Sequence, residues 1–208
     1  MSTPQQQRSR ATHDALLQAF RRLLRTKPFA EISVAEIAGA AGMSVGGFYA
    51  RFAAKDALLV PLMEEILSEA RQTIDAALDA PGVAASLGRI IDAYVGAMIH
   101  GFREHRLTFQ QIRQAASGET AVALMRLTDE FNLFAHDRFR TLALQHRAAV
   151  KHRSPAQAIE FALFIGSASA REAVLSENWK SYEVRPDDAT LRAEISRAMR
   201  RYLEGGPS

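Results

Sequence analysis

Apolar side chains recur at intervals of three and four residues from Leu16 to Tyr202, and no stretch alternates apolar with polar residues long enough to make a strand. That periodicity restricts the chain to helices packed on helices, an all-α fold. Leu16, Ala19, Phe20 and Leu23 predict a first helix over about 11–26, stopped at Lys27-Pro28 because a proline disfavours helix in the residue before it. Leu58, Leu59, Leu62, Ile66 and Ala70 mark the buried face of a long helix that starts near Lys55. Ala80-Pro81-Gly82 breaks the pattern. Leu87 to Phe102 forms another stripe, followed by a shorter helix at about 106–116 that ends at Ser117-Gly118. A long helix is expected over about 119–150 and one opened by Ser154-Pro155, with a loop at 178–186. A last helix, capped by Asp187 or Asp188, precedes a tail at 205–208.

The segment from Ser33 to Leu59 is the most informative. Ser33-Val34-Ala35-Glu36 has the spacing of a capping box, so a short helix is expected over about 34–41. Gly42 suits the left-handed residue that closes such a helix, and Ser44 can cap a third helix over about 45–51. Two short helices around a tight Gly42-Met43-Ser44 turn make a helix-turn-helix, with Ile37, Ala38 and Ala41 packing on Phe48 and Phe52. Val45, Gly46 and Gly47 leave little bulk at the start of the second helix, so its backbone can approach a duplex groove. Val45 is suited to a thymine methyl, and Tyr49 and Lys55 to phosphate oxygens. Two adjacent glycines in so short a helix also have a rival explanation, a tight packing contact inside the protein.

These residues resemble the tetracycline-repressor (TetR) family of regulators. The resemblance lies in Ser33-Val34 with Ile37-Ala38, Ala41-Gly42-Met43-Ser44, Gly46-Gly47-Phe48-Tyr49, Phe52, Lys55 and Leu58-Leu59. Leu16 to Phe20 and Lys27-Pro28-Phe29 are similar to the family's first helix and the turn after it. The likeness covers about residues 10–60; beyond them it is architectural. It implies a three-helix DNA-binding head over residues 1–56, on a helical effector-binding and dimerisation body over residues 57–208. It implies a cytoplasmic transcriptional regulator, more often a repressor, that binds a pseudopalindromic operator as a homodimer and is released by a small molecule. By matched position, Ser33, Ser44, Tyr49 and Lys55 contact phosphates, while Val45, Gly47 and Ala50 face bases. Gly47 stands where threonine or serine is common, Ala50 where histidine is, and Ala53-Ala54 where proline and a capping serine are. Base readout is therefore expected to be sparse, with Arg8 and Arg10 as candidates for a compensating minor-groove or phosphate contact, against the plainer reading that they lie in a solvated tail.

In the body, Tyr94, Met98, Phe102, Phe109, Met125, Phe131 and Phe134 are the candidate lining of an apolar effector chamber, against the plainer reading that they are core. Ala158, Ala162, Gly166 and Ala170 form a row of small residues four apart. With Phe161, Leu163, Ile165 and Val174, and with Leu191, Ile195 and Met199 of the last helix, that row is expected at a dimer interface; packing within one chain is the alternative.

Charge and composition narrow the function. Residues 1–56 hold eight Lys/Arg against four Asp/Glu, and the rest 18 against 19, so the basic excess sits on the expected head. With no cysteine in the chain, thiolate chemistry and cysteine-based metal sites are excluded. The six histidines show no metal-binding spacing, and no nucleophile elbow or phosphate loop is present, so neither catalysis, a cofactor nor a metal is expected. The polar start of the chain and the absence of a long apolar run predict neither a leader nor a membrane span. Two alternatives stay open: action through a protein partner, and an enzyme built on the same scaffold.

Overall fold

The computed structural model describes residues 4–176 and 183–205. Among them the regular structure is helical, without strands: α1 (Pro4–Leu24), α2 (Val34–Ala40), α3 (Val45–Tyr49), α4 (Leu59–Leu78), α5 (Leu87–Ala115), α6 (Gly118–Gln145), α7 (Pro155–Leu175) and α8 (Asp188–Gly205). Short 3-10 turns lie at Phe29–Glu31, Lys55–Leu58, Val83–Ala85 and Arg147–Ala149. The chain divides into two compact units, Met1–Leu67 with Leu107–Thr128, and Ser68–Arg106 with Asp129–Ser208. Helices α4, α5 and α6 are each continuous through that division.

In the first unit, Leu16, Phe20, Ile37, Phe48, Leu58 and Leu62 are fully buried, so α1, α2, α3 and the start of α4 point their apolar stripes inward. Helix α1 starts seven residues earlier than its apolar stripe predicts, because Pro4 supplies an N-terminal turn and the glutamines after it favour helix without needing a core. It ends at Leu24, where the Thr26 hydroxyl and the Lys27 amide both donate to the Leu23 carbonyl. The turn after it is held by side chains. Gln111 Oε1 accepts from the Phe29 amide at 3.0 Å, and the Phe29 ring meets Phe20 edge-on.

In the second unit, α7 packs along α8 and α5 supplies glycines to α8. Arg138 of α6 reaches Asp75 of α4 at 2.7 Å and Asp79, just past its end, at 2.6 Å. Arg140 pairs with Glu160 of α7. The break expected near residue 104 is absent; α5 runs through Arg103-Glu104-His105, since none of these residues stops a helix. Asp187 caps α8, its carboxylate accepting from the Thr190 amide at 2.7 Å.

The small-residue row requires a correction. Ala158, Ala162, Gly166 and Ala170 are buried within this chain, as are Leu191, Ile195 and Met199 of α8. A Cβ on Gly166 would overlap Met199 Sδ, so the row closes α7 onto α8 of the same molecule and is not open to a partner. Leu163 and Val174 are buried with it, and Ile165 is half-buried. Of the expected set only Phe161 stands out of the surface. It lies beside Phe164, which is 67% exposed, with ring centroids 6.3 Å apart.

Candidate nucleic-acid interface

The Ser33 capping box forms as the sequence predicts. The hydroxyl accepts from the Glu36 amide at 3.2 Å and donates to Glu36 Oε2 at 2.9 Å, while the Ser33 amide donates to the same carboxylate. The Glu36 carboxyl also accepts from Lys27; that hydrogen bond first, with those from Ser33, lowers its pKa to about 2. Helix α2 then ends in a Schellman arrangement. Met43 N donates to Ala38 O at 2.9 Å and Gly42 N to Gly39 O at 3.0 Å, with Gly42 at φ +71°. A residue with a Cβ is strained at that φ, so Gly42 sets the angle at which α3 leaves α2.

Ser44 caps α3 by accepting from the Gly47 amide at 3.1 Å, which leaves its hydroxyl proton available. Phe48 is fully buried and anchors α3 to the core through Phe52. The opposite face is open. Ser44, Val45, Gly46, Tyr49 and Ala50 are exposed and Gly47 is half-exposed. Val45 and Tyr49 are the large ones, at 41% and 55%. A Cβ built on Gly46 would meet nothing nearer than Ser44 Oγ at 3.9 Å, and one on Gly47 would meet the same atom at 3.4 Å. Packing inside the chain therefore does not demand either glycine, which removes the rival explanation for the pair. The bare backbone faces outward.

Two nominated residues are otherwise occupied. Lys55 Nζ donates to the carbonyls of Phe29 at 2.8 Å and Ile32 at 2.9 Å, and sits 4.4 Å from the centroid of the Phe29 ring. It ties the turn before α2 to the segment before α4 instead of standing free for a phosphate. Ser33 spends its hydroxyl on Glu36, whose charge would repel a phosphate there. Arg51 adds a cation beside this face. Arg51 is exposed one turn beyond Gly47 and bonds only weakly to its carbonyl, at 3.3 Å. A basic residue at that spacing was readable in the sequence. Arg10 is exposed, and the Arg8 side chain lies outside the described residues.

The effector candidates are split. Tyr94, Met98, Phe102, Phe131 and Phe134 belong to the second unit, whereas Phe109 and Met125 belong to the first. Met125 is 67% exposed and walls no enclosed chamber, because it falls on the outer face of α6. Tyr94 is fully buried, with its ring 4.9 Å from Phe139. Its hydroxyl lies 3.0 Å from Ser167 Oγ, which is 3.3 Å from His136 Nε2. Burial pushes the phenol up to about 12, and Ser167 opposes this. The imidazole of His136 is held below its ordinary range by burial first; Glu160 opposes the shift and Arg140 adds to it. The polar chain thus stays neutral near pH 7.

A helical chain with an exposed, glycine-bearing second helix in a helix-turn-helix belongs to the class of helix-turn-helix proteins. Residues 16–62 match the model of bacterial regulatory proteins, tetR family. The HTH-type transcriptional regulator EthR of Mycolicibacterium smegmatis is 35% identical over 94 residues, which are 45% of this chain and 42% of that protein. The chain therefore spans less than half the length of this curated relative. Among solved structures, a TetR-family transcriptional regulator from Mesorhizobium loti is similar with a TM-score of 0.68 and 18% identity, over 97% of this chain and 98% of that one. The fatty acid degradation regulator FadR from Bacillus halodurans is similar at 0.63 and 14%, over 96% of both chains. These structures share the fold. Over residues 16–62 the chain is similar to the tetR family of bacterial regulatory proteins, and over nearly its full length it shares the fold of these structures.

No helix among the described residues is long and apolar enough to cross a membrane.

Proposed function

We propose that the chain is a cytoplasmic repressor that binds a pseudopalindromic operator as a homodimer and is released by a small molecule. The observation that carries the DNA-binding reading is the outward face of α3, where Gly46 and Gly47 bare the backbone beside exposed Val45 and Tyr49. Ser44, Tyr49 and Arg51 reach phosphates, while Val45, Gly47 and Ala50 lie against bases. Ser33 and Lys55 shape the head and make no phosphate contact. The second copy docks on the outer face of α7, where Phe161 and Phe164 form an exposed apolar pair next to Tyr202 of α8. An apolar effector sits among Met98, Phe102, Phe131 and Phe134 in the second unit, with the Tyr94–Ser167–His136 chain as its polar contact.

The test is fluorescence anisotropy with duplexes tiling the DNA that flanks the chain's own coding region. One duplex is expected to bind at least about a thousandfold more tightly than scrambled DNA. Equal affinity for every duplex refutes the operator reading. Binding that persists in a Val45→Glu, Tyr49→Ala variant refutes the assignment to α3.

A further inference from the structure

Helices α5 and α8 border a cleft of about 300 Å³ on the second unit, and its lining is charged. Arg192 lies flat on the α5 backbone there: a Cβ on Gly96 would come within 3.0 Å of its Nε and Cζ. A glycine in the middle of a helix weakens it, so its presence under a guanidinium is informative. The glycine lets the guanidinium lie closer to the α5 backbone than a Cβ there would leave comfortable, with Nε and Cζ both 3.0 Å from where that Cβ would stand. Seated this way, Arg192 carries no hydrogen bond or ion pair among the described residues, and its planar fork of donors is uncommitted.

His100 and Glu104 line the same cleft, each one turn further along α5, and they too are unpartnered among the described residues. One turn is about 5–6 Å, so donor, second donor and acceptor are set in a row. Arg103 and Asp188, by contrast, neutralise each other across the cleft, with Nε and Oδ2 3.1 Å apart. The side of Ile99 supplies an apolar wall. Two carboxylates in the lining, Glu104 and Asp188, raise the cost of a dianion, whereas a monoanion fits the single free guanidinium. Glu104, an acceptor only, asks for a donor at the other end of the ligand.

We propose that this cleft binds a small monocarboxylate bearing a hydrogen-bond donor at its far end, the carboxylate held by Arg192 and His100 and the donor by Glu104. It is a site separate from the apolar effector site proposed above and does not depend on that reading. The geometry requires a molecule about 6–7 Å between its ends, the reach of little more than one helical turn.

The experiment is isothermal titration of the full chain with 4-hydroxybenzoate, whose carboxylate and hydroxyl have that separation. Methyl 4-hydroxybenzoate and inorganic phosphate are titrated in parallel. The acid is expected to bind one per chain at or below about millimolar concentration, and each comparator at least about tenfold more weakly. Arg192→Gln is expected to lose at least about tenfold in affinity and Gly96→Ala about threefold or more, with circular dichroism and melting showing that both variants are folded. No heat with the acid at about ten millimolar overturns the proposal. So does phosphate binding as tightly as the acid, or an Arg192→Gln variant that binds like the parent. Anisotropy with DNA and no probe reports on the regulator reading independently, so failure of one leaves the other standing.

Discussion

At Gly46 the added methyl of an alanine has space on the protein side, with Ser44 Oγ at 3.9 Å as its nearest neighbour. Gly46→Ala is therefore expected to hold or raise the melting temperature, since alanine favours helix by about 1 kcal/mol over glycine. Operator affinity is expected to fall at least about tenfold if the backbone there approaches a groove. Anisotropy and thermal melting on the same sample check both; a variant that binds DNA as well as the parent removes the reason for the bare helix start. Lys55 gives the opposite signature. Its ammonium bonds two carbonyls and covers the Phe29 ring, so Lys55→Met is expected to destabilise the fold by about 1–3 kcal/mol. The slope of affinity against salt should not change, because no phosphate contact is lost. Denaturant melts and a salt series separate the two roles; a flatter slope with unchanged stability restores the phosphate reading. The sequence could not show this. A lysine before a helix reads the same whether it faces solvent or folds back on the carbonyls of Phe29 and Ile32.

At the scale of helices, the punctuated parts of the sequence were legible. Ser33, Gly42, Ser44 and Pro155 mark ends where their own side chains or φ values do the work, and α2, α3 and α7 begin or end there. The second unit was less so. A helix without caps in its middle gives no sign of whether it breaks, so the sequence predicts two helices where α5 is one. A row of small residues reports close approach of another helix but not whose it is, which is why the α7–α8 seam resembled a dimer face. With that seam closed inside the chain, the partner-facing side of α7 is expected at its exposed rings. Phe161→Ser, Phe164→Ser should keep the circular dichroism of the parent and shift light scattering toward the monomer, whereas a dimer of parental strength places the interface elsewhere. The contact joining α5, α6 and α7 through Tyr94, Ser167 and His136 has its own pH signature. His136 is held below its unfolded pKa by burial, with Glu160 and Arg140 facing it. Above about 6.5 both states are neutral, so it adds no pH dependence. Below that, the unfolded chain takes the proton first and stability falls until the pH drops past the folded value. His136→Gln is expected to flatten the decline of melting temperature between about pH 7 and 5, and an unchanged decline shows that another group governs it.

For the molecule as a whole, the question is how many heads hold the duplex, and charge answers it without a structure of the complex. The head exposes Arg10, Arg22, Arg25 and Arg51, none with a carboxylate partner among the described residues. The basic excess of the head thus survives folding in these four arginines, whereas Arg21 and Lys27 spend their charge on Glu65 and Glu36. Each phosphate neutralised releases condensed counterions and adds about −0.9 to the slope of log affinity against log salt. Three to four contacts per head give a slope of about −3 for one head and about −6 for two. If the homodimer binds as a unit, the parent follows the steeper slope. The Phe161→Ser, Phe164→Ser variant should then fall to the shallower one at protein concentrations where it is monomeric, each head keeping its own contacts. A parent slope near −3, or one that the interface variant leaves unchanged, means that a single head binds DNA and that the pseudopalindrome is not read by a dimer of this chain.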